Sequence, residues 1–240
     1  MDQEIRKKEW AAGFKAGIPI MLGYLSVSFG VGIKAHQIGM TFFEAAFMSL
    51  TNLTSAGQAA GMDIIAAGGS MIEMALTQLV INLRYALMSL SLTQKTDENF
   101  KLSQKLRVSY GVTDEIFAVA SGRMKRITPQ FMYGITMISA FGWVLGTFLG
   151  AVAGDILPAP LTDALGIMLY GMFIAIFVPA AKHDKHITVV VLAAVFISLF
   201  FHYVLPMVTS GFAIIICAVT ASAIGALLFP VKDEPEKEEI

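Results

Sequence analysis

Long apolar runs dominate the pattern of hydrophobic and polar positions along the chain. One of them, residues 187–205 (ITVVVLAAVFISLFFHYVL), holds a single ionisable side chain, that of His202. A helix of this length crosses a hydrocarbon layer of roughly 30 Å. Backbone polar groups must be paired inside lipid, and runs that are long without strict alternation favour helices over barrel strands. The pattern therefore predicts an all-α fold, a polytopic membrane helix bundle.

Six segments are long enough to cross a membrane, and two further segments are interrupted or short. The six are residues 13–33, 70–92, 130–153, 163–181, 187–206 and 210–229. Residues 42–69 contain two short apolar stretches separated by TNLTSAGQAAGMD, and residues 110–122 are too few to span. Apolar segments of 10–14 residues are more often re-entrant or buried. We therefore expect about six full crossings plus two broken or re-entrant segments.

The basic residues predict the orientation of these segments. They cluster before the first span, between the second and third spans on both sides of residues 110–122, between the fourth and fifth spans, and after the last one. Lys and Arg are in excess in cytoplasmic loops. All clusters lie on the cytoplasmic side if each interrupted segment enters and leaves on one side. The alternative lets residues 42–61 cross fully and inverts the first two helices relative to the rest.

This topology divides the chain into three parts. Residues 1–12 form a cytoplasmic N-terminal segment, residues 13–230 a single transmembrane domain, and residues 231–240 an acidic cytoplasmic tail. The start of the chain is basic without a convincing cleavage site, which favours a retained first helix over a signal peptide. Both termini are then cytoplasmic.

Composition agrees with a membrane protein and narrows its partners. Hydrophobic residues make up 56% of the chain and charged residues 15%, against about 25% charged in soluble domains; the mean hydropathy is +0.69. A net charge of −1 gives no reason to expect a nucleic acid partner. The single cysteine, Cys217, cannot form an intramolecular disulfide. We find no metal-ligand pattern, and we expect neither a metal nor a cofactor.

The predicted helix 70–92 carries polar side chains on two faces. One face holds Ser70, Glu73, Thr77, Arg84 and Ser91, and the other holds Gln78, Asn82 and Ser89. Such a helix belongs inside the bundle. Arg84 lies about 12 Å from the end of this helix, at about 1.5 Å per residue. A charge at that depth costs on the order of 2.5–3.5 kcal/mol unless it is paired.

Asp114 or Glu115 is the expected partner of Arg84. The pair is either purely structural or also receives a substrate carboxylate, since guanidinium groups bind carboxylates in a bidentate manner. Asp114 and Glu115 follow Thr113, and Thr113 or Asp114 can cap a short helix. Two acids that enter an apolar segment are also candidates for proton coupling, because burial raises a carboxyl pKa. Glu73 is the next candidate for that role.

The interrupted segment NLTSAGQ offers uncharged hydrogen-bonding groups on a backbone loosened by glycine. Asn52, Ser55 and Gln58 there are candidates to hold a zwitterion. The alternative is that these side chains only satisfy the backbone around a helix break.

Four stretches of the sequence carry recognisable motifs: KAGIPIMLGYLSVSFGVG near the start, INLRYALMSLSL at 81–92, GVTDEIFA at 111–118 and GWVLGTFLG at 142–150. In this order and spacing they resemble the AzlC family of bacterial branched-chain amino acid exporters. The resemblance covers nearly the whole chain apart from the acidic tail. Two departures concern substrate preference: Tyr85 stands where members often have His, and SAGQAAGMD lacks the bulkier residues that many members carry after the Gln.

The resemblance implies export of branched-chain or related amino acids across the bacterial inner membrane, driven by the proton gradient. It also implies a small hydrophobic partner subunit of the AzlD type. The family's motif positions add two residues to the substrate-binding candidates, which become Asn52, Ser55, Gln58, Asn82, Arg84 and Thr113. The proton-coupling or ion-pair candidates are Asp114, Glu115 and Glu73.

Two other classes of function stay open at this point. The chain could be a channel or a structural subunit of a membrane complex. It could also be a membrane enzyme acting on a lipid-borne substrate, which would need convergent nucleophile, base or metal groups near one interface. Only Asp114 and Glu115 offer such groups, so we expect a transport protein and not an enzyme.

Overall fold

A computed structural model describes residues 3–97 and 100–230, and the predicted acidic tail 231–240 lies outside these residues. The described chain is helical, with one isolated β-bridge between Thr96 and Ile127. Its helices are α1 Gln3–Gln37, α2 Phe42–Thr51, α3 Ser55–Ala66, α4 Met71–Thr93, α5 Leu102–Ser109, α6 Asp114–Ser121, α7 Pro129–Ile156, α8 Ala159–Gly166, α9 Met168–His183, α10 Lys185–Val204 and α11 Ser210–Leu228.

Five helices in the described part of the chain are long and apolar enough to cross a membrane: α1, α4, α7, α10 and α11. The predicted membrane helix bundle is thereby confirmed. The sixth predicted span, residues 163–181, is interrupted at Ile167 and contains the end of α8 and most of α9. At about 1.5 Å per residue, the 16 residues of α9 fall short of a full span. A sixth crossing therefore stays a prediction.

Helices α1 and α7 form the centre of the bundle and run parallel to each other. Glycines allow the two backbones to touch at successive levels. A Cβ atom at Gly13 would lie 2.0 Å from the carbonyl oxygen of Phe131, and one at Gly150 would lie 2.0 Å from that of Phe29. Small residues at helix interfaces are the usual means of close approach in membranes, where no hydrophobic effect drives helices together.

Helices α2 and α3 form a first hairpin at the end of the bundle where α1 ends. Thr41 caps α2 immediately after the turn that follows α1. The chain leaves the helical conformation at residues 52–54 and returns as α3. The ammonium of Lys34, near the end of α1, lies 2.8 Å from the carboxylate of Asp63 in α3 and donates to the carbonyl of Ala59 at 3.3 Å. The segment therefore enters and leaves at the same end.

Helices α5 and α6 form a second hairpin at the opposite end. Backbone hydrogen bonds close its base, from Asp97 N–H to the Ile127 carbonyl at 3.0 Å and from Ile127 N–H to the Lys95 carbonyl at 2.9 Å. A bidentate pair between Arg123 and Glu9, at 2.8 and 2.9 Å, joins this base to the start of α1.

The tips of the two hairpins meet in the middle of the bundle. There the Tyr110 hydroxyl of the second hairpin donates to the Leu50 carbonyl of the first at 2.5 Å. Residues 42–69 thus enter and leave at one end, as expected of a re-entrant segment, and residues 42–61 do not cross from one end to the other. Residues 110–122 contain only the second arm of their hairpin, and its first arm, α5, was not predicted. Which end faces the cytoplasm stays a prediction.

Candidate functional site

A cavity of about 360 Å³ lies where the two hairpin tips meet α1, α4 and α7. This volume is at the lower end of the range of roughly 300–1,000 Å³ found for small-molecule sites. Its walls are formed by Tyr24, Leu53, Ser55, Ala56, Ile81, Arg84, Tyr85, Thr113, Asp114, Glu115, Trp143 and Phe177. One part of the wall is charged or polar and the other part is apolar.

The charged part is organised by an ion pair between α4 and α6. Nη1 of Arg84 lies 2.9 Å from Oδ2 of Asp114, with 43% and 39% of the two side chains exposed. The second guanidinium nitrogen donates to the Tyr85 hydroxyl at 3.0 Å, and that hydroxyl donates to Oγ1 of Thr54 at 3.3 Å. Arg84 is therefore held from two sides but keeps a surface open to the cavity.

Glu115 is bound from α1, which sequence reasoning did not anticipate. The Tyr24 hydroxyl donates to Oε2 of Glu115 at 2.5 Å and lies 2.7 Å from Oγ1 of Thr113. Tyr24 is buried, with 7% of its surface exposed, whereas Glu115 is exposed to the cavity. The tyrosine thus fixes one oxygen of a carboxylate whose remaining surface can meet solvent or a solute.

Two helices begin at the cavity. Oγ1 of Thr54 accepts the N–H of Gly57 at the start of α3, and Oγ1 of Thr113 accepts that of Ile116 at the start of α6. First-turn N–H groups have no partner within their own helix, and helix N-termini carry a partial positive charge. At α6 this charge meets Asp114 and Glu115. At α3 the first two residues are the uncharged Ser55 and Ala56, so this helix start can receive an anionic group.

Another part of the wall is apolar. It consists of Leu53, Ile81, Trp143 and Phe177, from four different elements. The Trp143 ring packs edge to face against Tyr24, with ring centres 5.2 Å apart. An amphipathic cavity of this kind fits a small molecule that has charged groups at one end and an aliphatic group at the other. The described residues contain no cluster of His, Cys, Asp and Glu suited to a metal ion.

The predicted site residues fall into two groups. Five of them line the cavity: Ser55, Arg84, Thr113, Asp114 and Glu115. The expected carboxylate partner of Arg84 is Asp114. The others, Asn52, Gln58, Asn82 and Glu73, do not line it.

Two of these outlying residues line a neighbouring cavity of about 150 Å³, on the other side of Tyr85. They are Asn52 and Asn82. Nδ2 of Asn82 donates to Oε1 of Gln78 at 3.0 Å, and Gln78 in turn donates to the Gly57 carbonyl at 2.7 Å. These amides join α4 to the start of α3 and support the wall of the larger cavity from behind.

Gln58 and Glu73 make buried contacts away from the cavity. Gln58 is fully buried, and its Oε1 accepts the indole N–H of Trp143 at 2.6 Å. Glu73 is 2% exposed, and its Oε1 accepts the Thr209 hydroxyl at 2.5 Å and the N–H of Gly211 at 2.9 Å. Glu73 therefore holds the start of α11 against α4.

Sequence reasoning missed the aromatic residues of the site, Tyr24, Tyr85, Trp143 and Phe177. Tyr24 and Trp143 stand inside the motifs KAGIPIMLGYLSVSFGVG and GWVLGTFLG, but an aromatic residue within an apolar run gives no periodic signal of its own. Tyr85 was visible only as a departure from the family pattern. The burial of Tyr24 in contact with a carboxylate could be found only from the packing of α1 on the second hairpin.

The family model described as AzlC protein matches residues 19–157, more than half of the chain. This chain belongs to the AzlC family. The match contains the two hairpins and every cavity residue except Phe177. The resemblance seen in the four sequence motifs is thereby confirmed.

Curated relatives agree with this AzlC assignment. The chain is 30% identical over 185 residues to "Inner membrane protein YgaZ" of Escherichia coli, covering 74% of this chain and 75% of the relative. It is 24% identical over 188 residues to "Branched-chain amino acid transport protein AzlC" of Bacillus subtilis, covering 75% and 73%. An "Uncharacterized membrane protein" of Archaeoglobus fulgidus is 29% identical over 183 residues, covering 74% and 80%. No solved structure matches the chain. The chain is a multi-pass membrane protein.

Proposed function

We propose that this protein is the transport subunit of an exporter of branched-chain or related amino acids in the bacterial inner membrane, driven by the proton gradient. The observation that carries the proposal is the amphipathic cavity at the meeting point of two interrupted helical hairpins. Interrupted helices at mid-bundle are a recurrent way to build a substrate site in secondary transporters. AzlC membership supports a membrane transport role, which points away from an enzyme.

The substrate carboxylate binds between Arg84 and the start of α3. Arg84 has a half-exposed guanidinium that already holds one carboxylate, and its planar fork suits a second one. The first-turn N–H groups of Ser55 and Ala56 add neutral donors and a partial positive charge. Together these groups supply the donors that a carboxylate needs when it leaves water.

The substrate ammonium binds on the acidic side of the same cavity. Asp114 and Glu115 provide two carboxylates against the one guanidinium of Arg84, so one negative charge is left over when all three groups are ionised. This excess favours a cationic group. The aliphatic side chain then lies against Leu53 and Trp143.

The same excess charge offers a route for proton coupling. Glu115 can exchange the substrate ammonium for a proton, because either one neutralises the surplus carboxylate. In this scheme Glu115 is neutral in the empty carrier and ionised in the loaded one. The movement of the proton is thereby linked to the movement of the amino acid in the opposite direction. A small membrane subunit of the AzlD type completes the exporter in this proposal, by virtue of the family.

The proposal is tested in proteoliposomes that contain the purified chain, with and without an AzlD-type small subunit. We expect preloaded leucine, isoleucine and valine to leave the vesicles faster when a pH gradient is imposed. Arg84→Ala should abolish this flux while the protein stays monodisperse, and Arg107→Ala, on the exposed surface of α5, should leave it unchanged. Absence of flux of all three amino acids under every gradient would reject the proposal.

The same experiment separates the rival classes. A purely structural subunit predicts that Arg84→Ala disrupts folding or assembly. A channel predicts flux that follows the solute gradient with no response to the pH gradient.

A further inference from the structure

A closed ring of hydrogen bonds lies directly behind the apolar wall of the cavity. Gln58 is fully buried and uses both ends of its amide. Its Oε1 accepts the indole N–H of Trp143 at 2.6 Å, and its Nε2 donates to Oγ of Ser49 at 2.8 Å. Oγ of Ser49 lies 2.7 Å from Oγ1 of Thr147, which donates to the carbonyl of Trp143 at 3.0 Å.

The directions of these bonds are mutually consistent. The Thr147 hydroxyl gives its proton to the Trp143 carbonyl, so the Ser49 hydroxyl donates to Thr147. The Ser49 oxygen then accepts from the Gln58 amide, which leaves the amide oxygen for the indole. The ring joins α2, α3 and α7 and returns to the residue where it began. All four side chains are buried, with exposed fractions from 0% to 3%.

This ring of hydrogen bonds contains more partners than the burial of a tryptophan requires. A buried tryptophan needs a partner for its N–H, and a carbonyl oxygen of the neighbouring helix would serve. Here the partner is a buried glutamine that is itself held by a second helix, so the group that orients the indole is fixed in place. Tyr24 contacts the indole edge to face on the cavity side. The Trp143 ring is thus fixed from behind and from one side.

We propose that Trp143 sets the upper size of the substrate side chain and that Gln58 is the positioning residue that holds it there. The proposal rests on the amino acid site described above. Trp143 is the largest residue of the apolar wall, and Leu53, Ile81 and Phe177 form the rest of it. A rigid indole stops a longer or aromatic side chain, whereas a mobile one would yield. Gln58 therefore acts on specificity without touching the substrate.

The first experiment measures selectivity in the same vesicles by competition of phenylalanine against leucine export. Trp143→Leu enlarges the cavity on its apolar side, and we expect the preference for leucine over phenylalanine to fall at least tenfold. One methylene group changes discrimination by roughly 10- to 200-fold in hydrophobic pockets. Trp143→Phe provides a milder second variant should Trp143→Leu fold poorly, and it should shift the preference in the same direction. An unchanged ratio in the folded variants would overturn the proposal.

The second experiment tests the positioning role without transport. The chain has two tryptophans, so Trp10→Phe leaves Trp143 as the single fluorophore. Adding Gln58→Met, which keeps the length but removes the hydrogen bonds, should make the Trp143 ring more mobile and increase the quenching of its fluorescence by acrylamide. Gln104→Met removes a partly buried amide on α5, away from the ring, and should leave this quenching unchanged.

These outcomes distinguish the two proposals. Wild-type protein that exports no amino acid would reject the proposed function, even if Gln58 still controlled the acrylamide quenching of Trp143. Export by the wild type with no change of selectivity in the Trp143 variants would reject the size limit alone. Acrylamide quenching of Trp143 that is unchanged by Gln58→Met would reject the positioning role.

Discussion

Replacing Tyr24 by phenylalanine removes a single oxygen from the centre of the proposed site. In the wild type that oxygen lies 2.5 Å from Glu115 and 2.7 Å from Thr113. The phenyl ring still fills the same buried space and keeps its edge-to-face contact with Trp143. The change therefore frees Glu115 without opening a cavity.

The size of the effect follows from the chemistry of the lost bond. Hydrogen bonds to charged groups contribute about 1.5–3 kcal/mol. Glu115 is exposed to the cavity, so water replaces part of the lost interaction and the lower value applies. About 1.5 kcal/mol corresponds to roughly a tenfold change in an equilibrium constant or rate. If Glu115 exchanges the proton and the substrate ammonium, Tyr24→Phe should reduce pH-driven export about tenfold.

The assay compares Tyr24→Phe with Tyr203→Phe in the same vesicles, with thermal stability measured in detergent alongside. Tyr203 is a matched control, since it is 75% exposed at the end of α10 and does not line the cavity. We expect the control to transport like the wild type, and both variants to melt within a few degrees of it. Wild-type export by Tyr24→Phe would refute the role of the Tyr24–Glu115 bond. Loss of the folded protein would show that the bond is structural.

Three further predictions follow from other contacts. Gly150→Leu should prevent α1 and α7 from packing and abolish the monodisperse peak in size-exclusion chromatography, whereas Gly23→Leu, with nothing within 4 Å of its Cβ, should not. Glu73→Gln should lower the melting temperature, because the amide oxygen accepts from Thr209 and Gly211 more weakly than the carboxylate, by about 1 kcal/mol; an unchanged melting temperature would contradict this. Arg84→Lys keeps the charge opposite Asp114 but loses the planar fork, and it should raise the half-saturating leucine concentration in export assays more than it lowers the maximal rate.

The assignment as a membrane protein and the interrupted segments could be predicted from the sequence, because both depend on residues that are close together along the chain. A run of about twenty apolar residues makes a spanning helix in any fold. A stretch such as NLTSAGQ interrupts a helix wherever it stands, because Thr54 can cap a new helix start. Arg84 needed a carboxylate for the same local reason, the cost of a lone charge in an apolar helix.

The periodicity of α4 was sufficient to place polar residues on two faces but not to assign their partners. Glu73 and Arg84 share a face, yet they lie about 16 Å apart along the axis at about 1.5 Å per residue. Glu73 contacts the start of α11, and Arg84 contacts α6. The sequence could place both charges on one face of an apolar helix, but their different surroundings come from which helix packs at each level.

Contacts between distant parts of the chain determine which residues share the cavity. Tyr24 meets Thr113 across 89 positions and Trp143 meets Gln58 across 85, and no local pattern encodes such pairs. Gln58 was expected at the substrate, but its amide binds the indole of Trp143 and does not line the cavity. The composition of a segment determines its free energy of transfer from water to lipid, so membrane helices can be predicted locally. The site depends instead on which helices pack together, and glycines such as Gly150 allow their backbones to touch.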